Sequence, residues 1–290
     1  MAKFKLTRRE FLKASALAVV ANTMLSIIGY EYAAMIEPDW RQVTFLELAL
    51  RRLPQEFHGY RLVQISDIHM DSWMTAERLS TVIKEVNGLG ADMVAITGDF
   101  ISEEPEKNAA ILAEELTKIS AKDGSVAVLG NHDHWTNPHE IRMALKKSGV
   151  INVSNSVHTI FRGASQLHFA GVDDIWENQD RLDLVLEMLP EEGCAILLAH
   201  EPDFADTSAA TGRFDLQISG HSHGGQIIFP VIGPPVVPWL SEKYPLGLYQ
   251  LGEMLQYTNR GIGMVGPPHV RFNCRPEITV FTLVTQEANV

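Results

Sequence analysis

The chain has 290 residues, of which 46% are hydrophobic and 21% charged, a balance that fits one large packed domain or two small ones and excludes a disordered or fibrous protein. A formal net charge of −12 argues against the broad basic surface that sequence-independent nucleic-acid binding needs, so no nucleic-acid partner is expected. Lys3, Lys5, Arg8, Arg9 and Lys13 against Glu10 leave residues 1–13 at +4 and the rest at −16, so an anionic substrate would need local positive charge such as bound metal ions supply.

The basic start runs into Ala14–Ile28, an apolar stretch broken only by Ser15, Asn22, Thr23 and Ser26. It has no polar helical face, is short for a comfortable membrane crossing, and has the length of a signal core. Thr7-Arg8-Arg9-Glu10-Phe11-Leu12-Lys13 looks like the twin-arginine export signal S/T-R-R-x-F-L-K along its whole length. That implies the twin-arginine export machinery as a partner, and a place in the periplasm or on the outer face of the cytoplasmic membrane. Tyr32-Ala33-Ala34-Met35 is a poor A-x-A cleavage site, which leaves a cleaved signal and a retained anchor both open. Residues 1–40 are therefore set apart from 41–290, the expected folded domain.

From residue 60 short apolar runs alternate with amphipathic ones. Arg61–Ser66 reads as a strand, and Thr75–Asn87 as a helix that Thr75 can cap, with Leu79, Val82, Ile83 and Val86 on one face. Met93–Ile96 follows as a strand, Glu106–Ile119 as a helix, Ser125–Leu129 as a strand and Pro138–Lys147 as a helix opened by proline. Gln166–Ala170, Ala195–Ala199 and Phe214–Ser219 read as strands, with a helix at Arg181–Leu189. Gln226–Phe229, Gly247–Leu251, Leu255–Thr258 and Ile278–Val284 read as strands with no long helix between them. The chain is thus α/β early and β-rich late. Cys194 and Cys274 form no CxxC pair, which argues against a zinc–thiolate site; two separate small core residues are expected.

Metal-competent side chains stand directly after the apolar strands: Asp67-Ile68-His69, Gly98-Asp99, Gly130-Asn131-His132-Asp133, His200 and Gly220-His221-Ser222-His223. Strand ends converge on one edge of an open α/β sheet, so these groups aim at one place. Carboxylate, imidazole and amide oxygen suit Zn, Mn or Fe. In D-x-H and H-x-H, alternate residues of an extended segment would point the same way. The glycines before Asp99, Asn131 and His221 allow close backbone approach. Asp67, His69, Asp99, Asn131, His200, His221 and His223 exceed what one tetrahedral ion takes and suit two ions sharing a carboxylate, which together activate water against a phosphate ester. His58, His139, His158, His168 and His269 stand alone and are expected to be packed or surface residues.

These motifs, in this order, resemble those of the calcineurin-like metallophosphoesterases, and the resemblance covers about residues 55–285. The export signal, Gly220–Gln226 and Asn273-Cys274-Arg275-Pro276-Glu277 are similar to the bacterial YaeI/YkuE-type phosphodiesterases. The resemblance implies a four-layer α/β/β/α sandwich of two mixed sheets and two divalent ions. One ion would take Asp67, His69 and His223, the other Asn131, His200 and His221, with Asp99 between them. A hydroxide bridging the ions would attack phosphorus. His132 would protonate the leaving oxygen or stabilise the transition state, and Asp133 would hold His132 in one tautomer.

The substrate stays open. Ile227–Leu240 is apolar and proline-rich, Trp73 and Met74 follow the first motif, and such patches, if exposed, would meet a lipid tail or a membrane surface; a packed loop is the plainer expectation. A lipid- or envelope-linked phosphodiester or pyrophosphate is the sharper reading. A phosphomonoesterase or nucleotidase and a non-catalytic scaffold of the same fold are the alternatives. Arg162, Arg213, Arg260 and Arg275 are candidates for phosphate contact, with ordinary salt bridges the plainer role.

Overall fold

A computed structural model describes residues 7–286; Lys3 and Lys5 of the basic start, and 287–290 of the expected domain, lie outside the described residues. One six-stranded sheet holds β1 (Gln42–Leu50), β2 (Tyr60–Ile65), β3 (Met93–Thr97), β4 (Ser125–Val128), β5 (Ile151–Asn152) and β12 (Glu277–Thr285), in the order β1-β12-β2-β3-β4-β5. A second six-stranded sheet holds β6 (Ser156–Arg162), β7 (Ser165–Gly171), β8 (Cys194–Leu198), β9 (Leu216–Ser219), β10 (Gly247–Leu251) and β11 (Met254–Thr258), in the order β10-β11-β9-β8-β7-β6. Both are mixed: β2 to β5 run parallel with β12 antiparallel to β2, and β7, β8, β9 and β11 run parallel between antiparallel β6 and β10.

Side-chain alternation sets the layering, because successive residues of a strand face opposite ways. Leu62 of β2, Met93 and Ala95 of β3, and Val126 and Val128 of β4 pack against Leu167, Phe169, Ile196, Leu198, Leu216 and Ile218 in a core between the sheets. Their neighbours Val63, Ile65, Val94, Ile96 and Ala127 face outward onto helices α2 (Ala76–Gly88), α3 (Pro105–Leu116) and α5 (Pro138–Ser148). On the far side, Ala195 and Leu197 of β8 meet α6 (Leu182–Met188) and α7 (Ala205–Ala210) through Val185 and Ala205. The result is the expected four-layer α/β/β/α sandwich. Leu79, Val82, Ile83 and Val86 are the buried stripe of α2, as their spacing predicts.

Gln226–Phe229, expected as a strand, is not one: only single bridges, Ile227 to Phe272 and Phe229 to Gly233, involve it. Left-handed backbone at Gly224, Gly225 and Gln226 and the prolines that follow break the extended run. Met74 is buried, and Trp73 packs against the outer core under the Arg78 guanidinium, so this pair forms no lipid-facing patch.

Before the sheets comes α1 (Arg8–Glu31), capped by Thr7 and Glu10 and with no buried residue. Helical turns continue from it through Asp39, and there Ala33, Glu37 and Pro38 are buried. The Glu37 carboxylate accepts the backbone N–H groups of Asn273 (2.9 Å) and Cys274.

Candidate metal centre

The C-terminal ends of β2, β3 and β4 in one sheet and of β8 and β9 in the other meet at one rim, and every site motif leaves from one of them. The backbone there is not extended. Asp67 (φ 52°), His69 (φ 50°), Asp99 (φ 57°), His221 (φ 70°) and His223 (φ 50°) all adopt left-handed conformations, which residues with a Cβ seldom do. The expectation that D-x-H and H-x-H work as extended segments is therefore corrected: each pair turns through two left-handed residues. Hydrogen bonds hold this strain in place, from Asp67 N–H to Gly98 O (3.0 Å), His69 N–H to Asp99 O (2.9 Å) and Gly263 N–H to Asp67 O (2.7 Å). The expected close approach at the glycines is present. A Cβ on Gly220 would strike Ser66 Oγ and Asp67 Oδ2, and one on Gly130 would strike Asp99 Oδ1.

The expected ligand set gathers here, and all of it is buried: Asp67, His69, Asp99, Asn131, His200, His221 and His223. Asp67, His69 and His223 form one compact set of donor atoms, Asp99, His200 and His221 another, and Asp99 approaches both His69 and His200. His69 Nε2 lies 3.0 Å from His223 Nε2 and 3.4 Å from Asp99 Oδ2, and His223 Nε2 lies 3.3 Å from Asp67 Oδ1. Donor atoms that each sit about 2.0–2.2 Å from a shared ion have such separations.

Neighbouring bonds decide which ring atoms carry lone pairs. His200 Nδ1–H donates to Thr97 O at 2.7 Å, so Nε2 is the lone-pair atom. It has no hydrogen-bond partner, yet it faces Asp99 Oδ2 at 3.2 Å. Two lone-pair atoms that close repel unless a proton or a cation lies between them. Asn131 Oδ1 is likewise buried without a partner. His221 Nε2–H donates to Trp239 O at 2.8 Å, which frees Nδ1. Burial pushes His69 and His221 down to about 3 and His223 well below the imidazole range, so all three are neutral rings able to ligate. Burial acts the same way on His200, but the carboxylates of Asp99 and Asp67 outweigh it and hold this ring well above the ordinary range, so the gap between Nε2 and Asp99 is one that positive charge fills, whether a proton or a metal ion. Burial raises Asp67 to about 7. A buried donor set of oxygen and nitrogen alone fits bound divalent metal.

His132 is half-buried at the edge of this set, its ring 4.7 Å from that of His69. Asp133 does not touch it. Its carboxylate accepts the N–H groups of Asp99 (3.0 Å), Phe100 (2.8 Å), Ile101 (3.3 Å) and Gly130 (2.9 Å). The tautomer role expected for Asp133 is thus corrected: consecutive residues of helix α4 (Asn131–Thr136) point apart, and Asp133 pins the loop that carries Asp99.

Several residues here are invisible to motif reading. Arg271 is fully buried, donates to the carbonyls of Arg260 (2.8 Å), Gly261 (3.2 Å), Gly263 (2.6 Å) and Cys274 (3.1 Å), and stands 3.4 Å from His223 Nδ1. Its backbone N–H binds Ala33 O, which ties the segment after α1 to the centre. A lone arginine in a loop gives no sequence signal. Cys274, also buried, donates its thiol to His223 O, and Cys194 sits apart in β8, so the two are the separate core residues expected.

The centre opens into a cavity of about 280 Å³ lined by Trp135, Trp176, Val236, Pro238 and Val265, with Asp99, Asn131, His132, His221 and His223 at its floor. The candidate phosphate-contacting arginines do not line it. Arg162 binds Asp123, Arg213 binds carbonyls of Pro190, Glu192 and Gly193, Arg260 pairs with Glu277, and Arg275 binds Gln42. Of the lone histidines, His168 bridges Thr159 and Glu192 O, and His269 pairs with Asp71.

Comparison with known proteins agrees with this architecture. The family model described as Calcineurin-like phosphoesterase matches residues 60–225. The chain is 35% identical to "Uncharacterized metallophosphoesterase YkuE" of Bacillus subtilis, covering 96% of this chain and 98% of that one. It is 28% identical to "Phosphodiesterase YaeI" of Escherichia coli, covering 96% and 100%. It is 31% identical to a "Transmembrane protein with metallophosphoesterase domain" of Danio rerio, covering 93% of this chain and 62% of that protein.

Proposed function

The chain belongs to the calcineurin-like phosphoesterase family, and on that premise we propose that it is a two-metal phosphodiesterase of the cell envelope, acting on a lipid- or envelope-linked phosphodiester. Asp67, His69 and His223 would hold one ion and Asn131, His200 and His221 the other, with Asp99 within reach of both sets. The ions, of Mn, Fe or Zn, supply Lewis acidity to the phosphoryl oxygens and lower the pKa of a water toward neutrality. The protein residues do the rest. Neutral His69, His221 and His223 present lone pairs, the His221 tautomer being fixed by the Trp239 carbonyl, and Asp99 would balance the cationic charge. His132, at the cavity side of the set, is placed to give a proton to the leaving oxygen. The name of the YaeI relative supports diester over monoester chemistry. The arginine pair at Arg8 and Arg9, followed by an exposed apolar helix, supports export by the twin-arginine route and attachment at the membrane.

The observation that carries this reading is the buried Asn131 Oδ1, an acceptor with no donor, beside the 3.2 Å gap between His200 Nε2 and Asp99 Oδ2. Elemental analysis of the purified protein, with hydrolysis of a p-nitrophenyl diester and monoester before and after chelation, tests it. Close to two metals per chain and a diester rate that chelation abolishes and metal restores are expected. Metal-free protein with undiminished diesterase activity, or a clear monoester preference, overturns it.

A further inference from the structure

We infer that the cavity wall formed by Trp135 and Trp176, with Trp239 packed against Trp176, is a subsite for an uncharged apolar chain on the phosphodiester, which rests on the diesterase reading and narrows its substrate class. Trp176 stands at the centre of this wall. Its ring meets Trp135 at 5.4 Å and 90°, Trp239 at 5.3 Å and 87°, and His221 at 5.6 Å and 73°. Trp135 also packs on His132 at 4.8 Å, so the wall begins beside the group proposed to protonate the leaving oxygen. The wall is built to stay in place. Glu201, the residue after His200, accepts the backbone N–H groups of Ile175 (3.3 Å) and Trp176 (3.4 Å), and Trp135 Nε1–H donates to Glu177 (2.7 Å).

Charge and hydrogen bonding limit what this cavity accepts. Among the described residues no lysine or arginine lines it, so the positive charge there would come from bound metal. A second phosphate or any other anionic substituent would find no counter-charge, which argues for a diester over a pyrophosphate or nucleoside polyphosphate. Two polar side chains of the wall are turned toward the backbone. Gln226 exchanges two hydrogen bonds with the backbone of Val265 (2.6 and 2.9 Å), and Ser222 Oγ accepts Gly224 N–H (3.0 Å). A nucleobase edge or a sugar hydroxyl row would find few fixed partners on this mostly apolar lining, at a cost that an alkyl chain does not bear. Trp176 also meets both neighbouring indoles edge to face, so it forms no parallel sandwich with either of them.

The apolar lining continues outward. Val236 is 73% and Trp239 53% exposed, and with Phe229, Val231 and Ile232 they make the 229–239 loop an apolar rim. Phe229 packs on Phe272 at 6.4 Å, and Phe272 packs on Tyr32, next after α1, at 6.3 Å. The rim and the exposed apolar helix therefore leave the body from adjoining places.

A homologous series of alkyl p-nitrophenyl phosphodiesters, methyl to decyl, assayed as monomers with the metal-loaded full chain, tests the subsite. We expect kcat/KM to rise about two- to fourfold per methylene until the cavity is filled. A p-nitrophenyl nucleoside phosphodiester should turn over no faster than the methyl ester. In Trp176→Ala and Val236→Asp the decyl-to-methyl ratio should fall at least tenfold, with metal content per chain as the folding control. The decyl ester presented in phosphatidylcholine vesicles separates the sources of the chain: faster turnover there assigns a bilayer lipid, and slower turnover a dispersed amphiphile. A flat chain-length series, or preference for the nucleoside ester, overturns the subsite while leaving the diesterase reading intact. No turnover of any ester by two-metal protein sinks that reading instead.

Discussion

His132 and Asp133 are adjacent in sequence, yet the geometry gives them separate work. Asp133 neutralises four buried backbone donors at Asp99, Phe100, Ile101 and Gly130, so its loss leaves them unpaired in a dry interior. Asp133→Ala should cost about 3–5 kcal/mol, a fall of roughly 10 °C in Tm, and should loosen metal binding through Asp99. His132 makes no such bonds through its ring. His132→Ala should keep two metals per chain and a Tm within about 3 °C of the parent, while kcat falls roughly 10²- to 10⁴-fold. Calorimetry, elemental analysis and diester kinetics on the two proteins separate the roles. An alanine at 132 that turns over at the parental rate with both metals bound would remove the proton donor from the mechanism.

At the scale of elements, what was legible depended on whether local pattern and tertiary environment agree. The strands β2, β3, β4, β8 and β9 announce themselves as apolar runs, because both faces of each are buried, and the site motifs follow at once. α2 is legible because its stripe of Leu79, Val82, Ile83 and Val86 has helical spacing. The left-handed turns at Asp67, His69, His221 and His223 were not, since conformations that disfavour a Cβ are imposed by long-range bonds such as Gly263 N–H to Asp67 O. Nor was the clasp behind the centre. Glu37 meets Asn273 and Cys274 across 236 and 237 residues, and no local rule pairs them. That clasp carries its own prediction. Glu37→Ala leaves two backbone donors without their buried acceptor and frees the turn whose Cys274 thiol and Arg271 guanidinium flank His223. Stability should fall by about 2–4 kcal/mol, and one of the two metals should bind about 10- to 100-fold more weakly. Denaturant melts and metal titration by calorimetry read the two effects. Unchanged affinity for both ions would make Glu37 a fold residue with no bearing on the centre.

For the molecule as a whole, the question is whether α1 is discarded or kept. Ala14–Tyr30 carries no charge, and its roughly 25 Å of helix, at 1.5 Å per residue, comes close to the ~30 Å of a bilayer core. The helix passes without a break into Tyr32–Asp39, where Ala33, Glu37 and Pro38 are already part of the body. A cut after Ala34 would detach the Ala33 carbonyl that binds Arg271 N–H, and a cut after Asp39 would remove Glu37 as well. Processing that preserves the metal centre therefore has to fall before Ala33 or not happen at all, and with a poor cleavage sequence at Tyr32–Met35 the second outcome is expected. On the export reading, the protein should keep α1 by intact mass and stay with the membrane pellet through carbonate extraction. Arg8→Lys with Arg9→Lys should hold it in the cytoplasm, by protease protection in spheroplasts. A soluble exported form starting at Met35 or later, with both metals bound, would show that the body closes its centre without this segment. The helix would then be an address, and not the anchor that holds the apolar rim of the cavity against the bilayer.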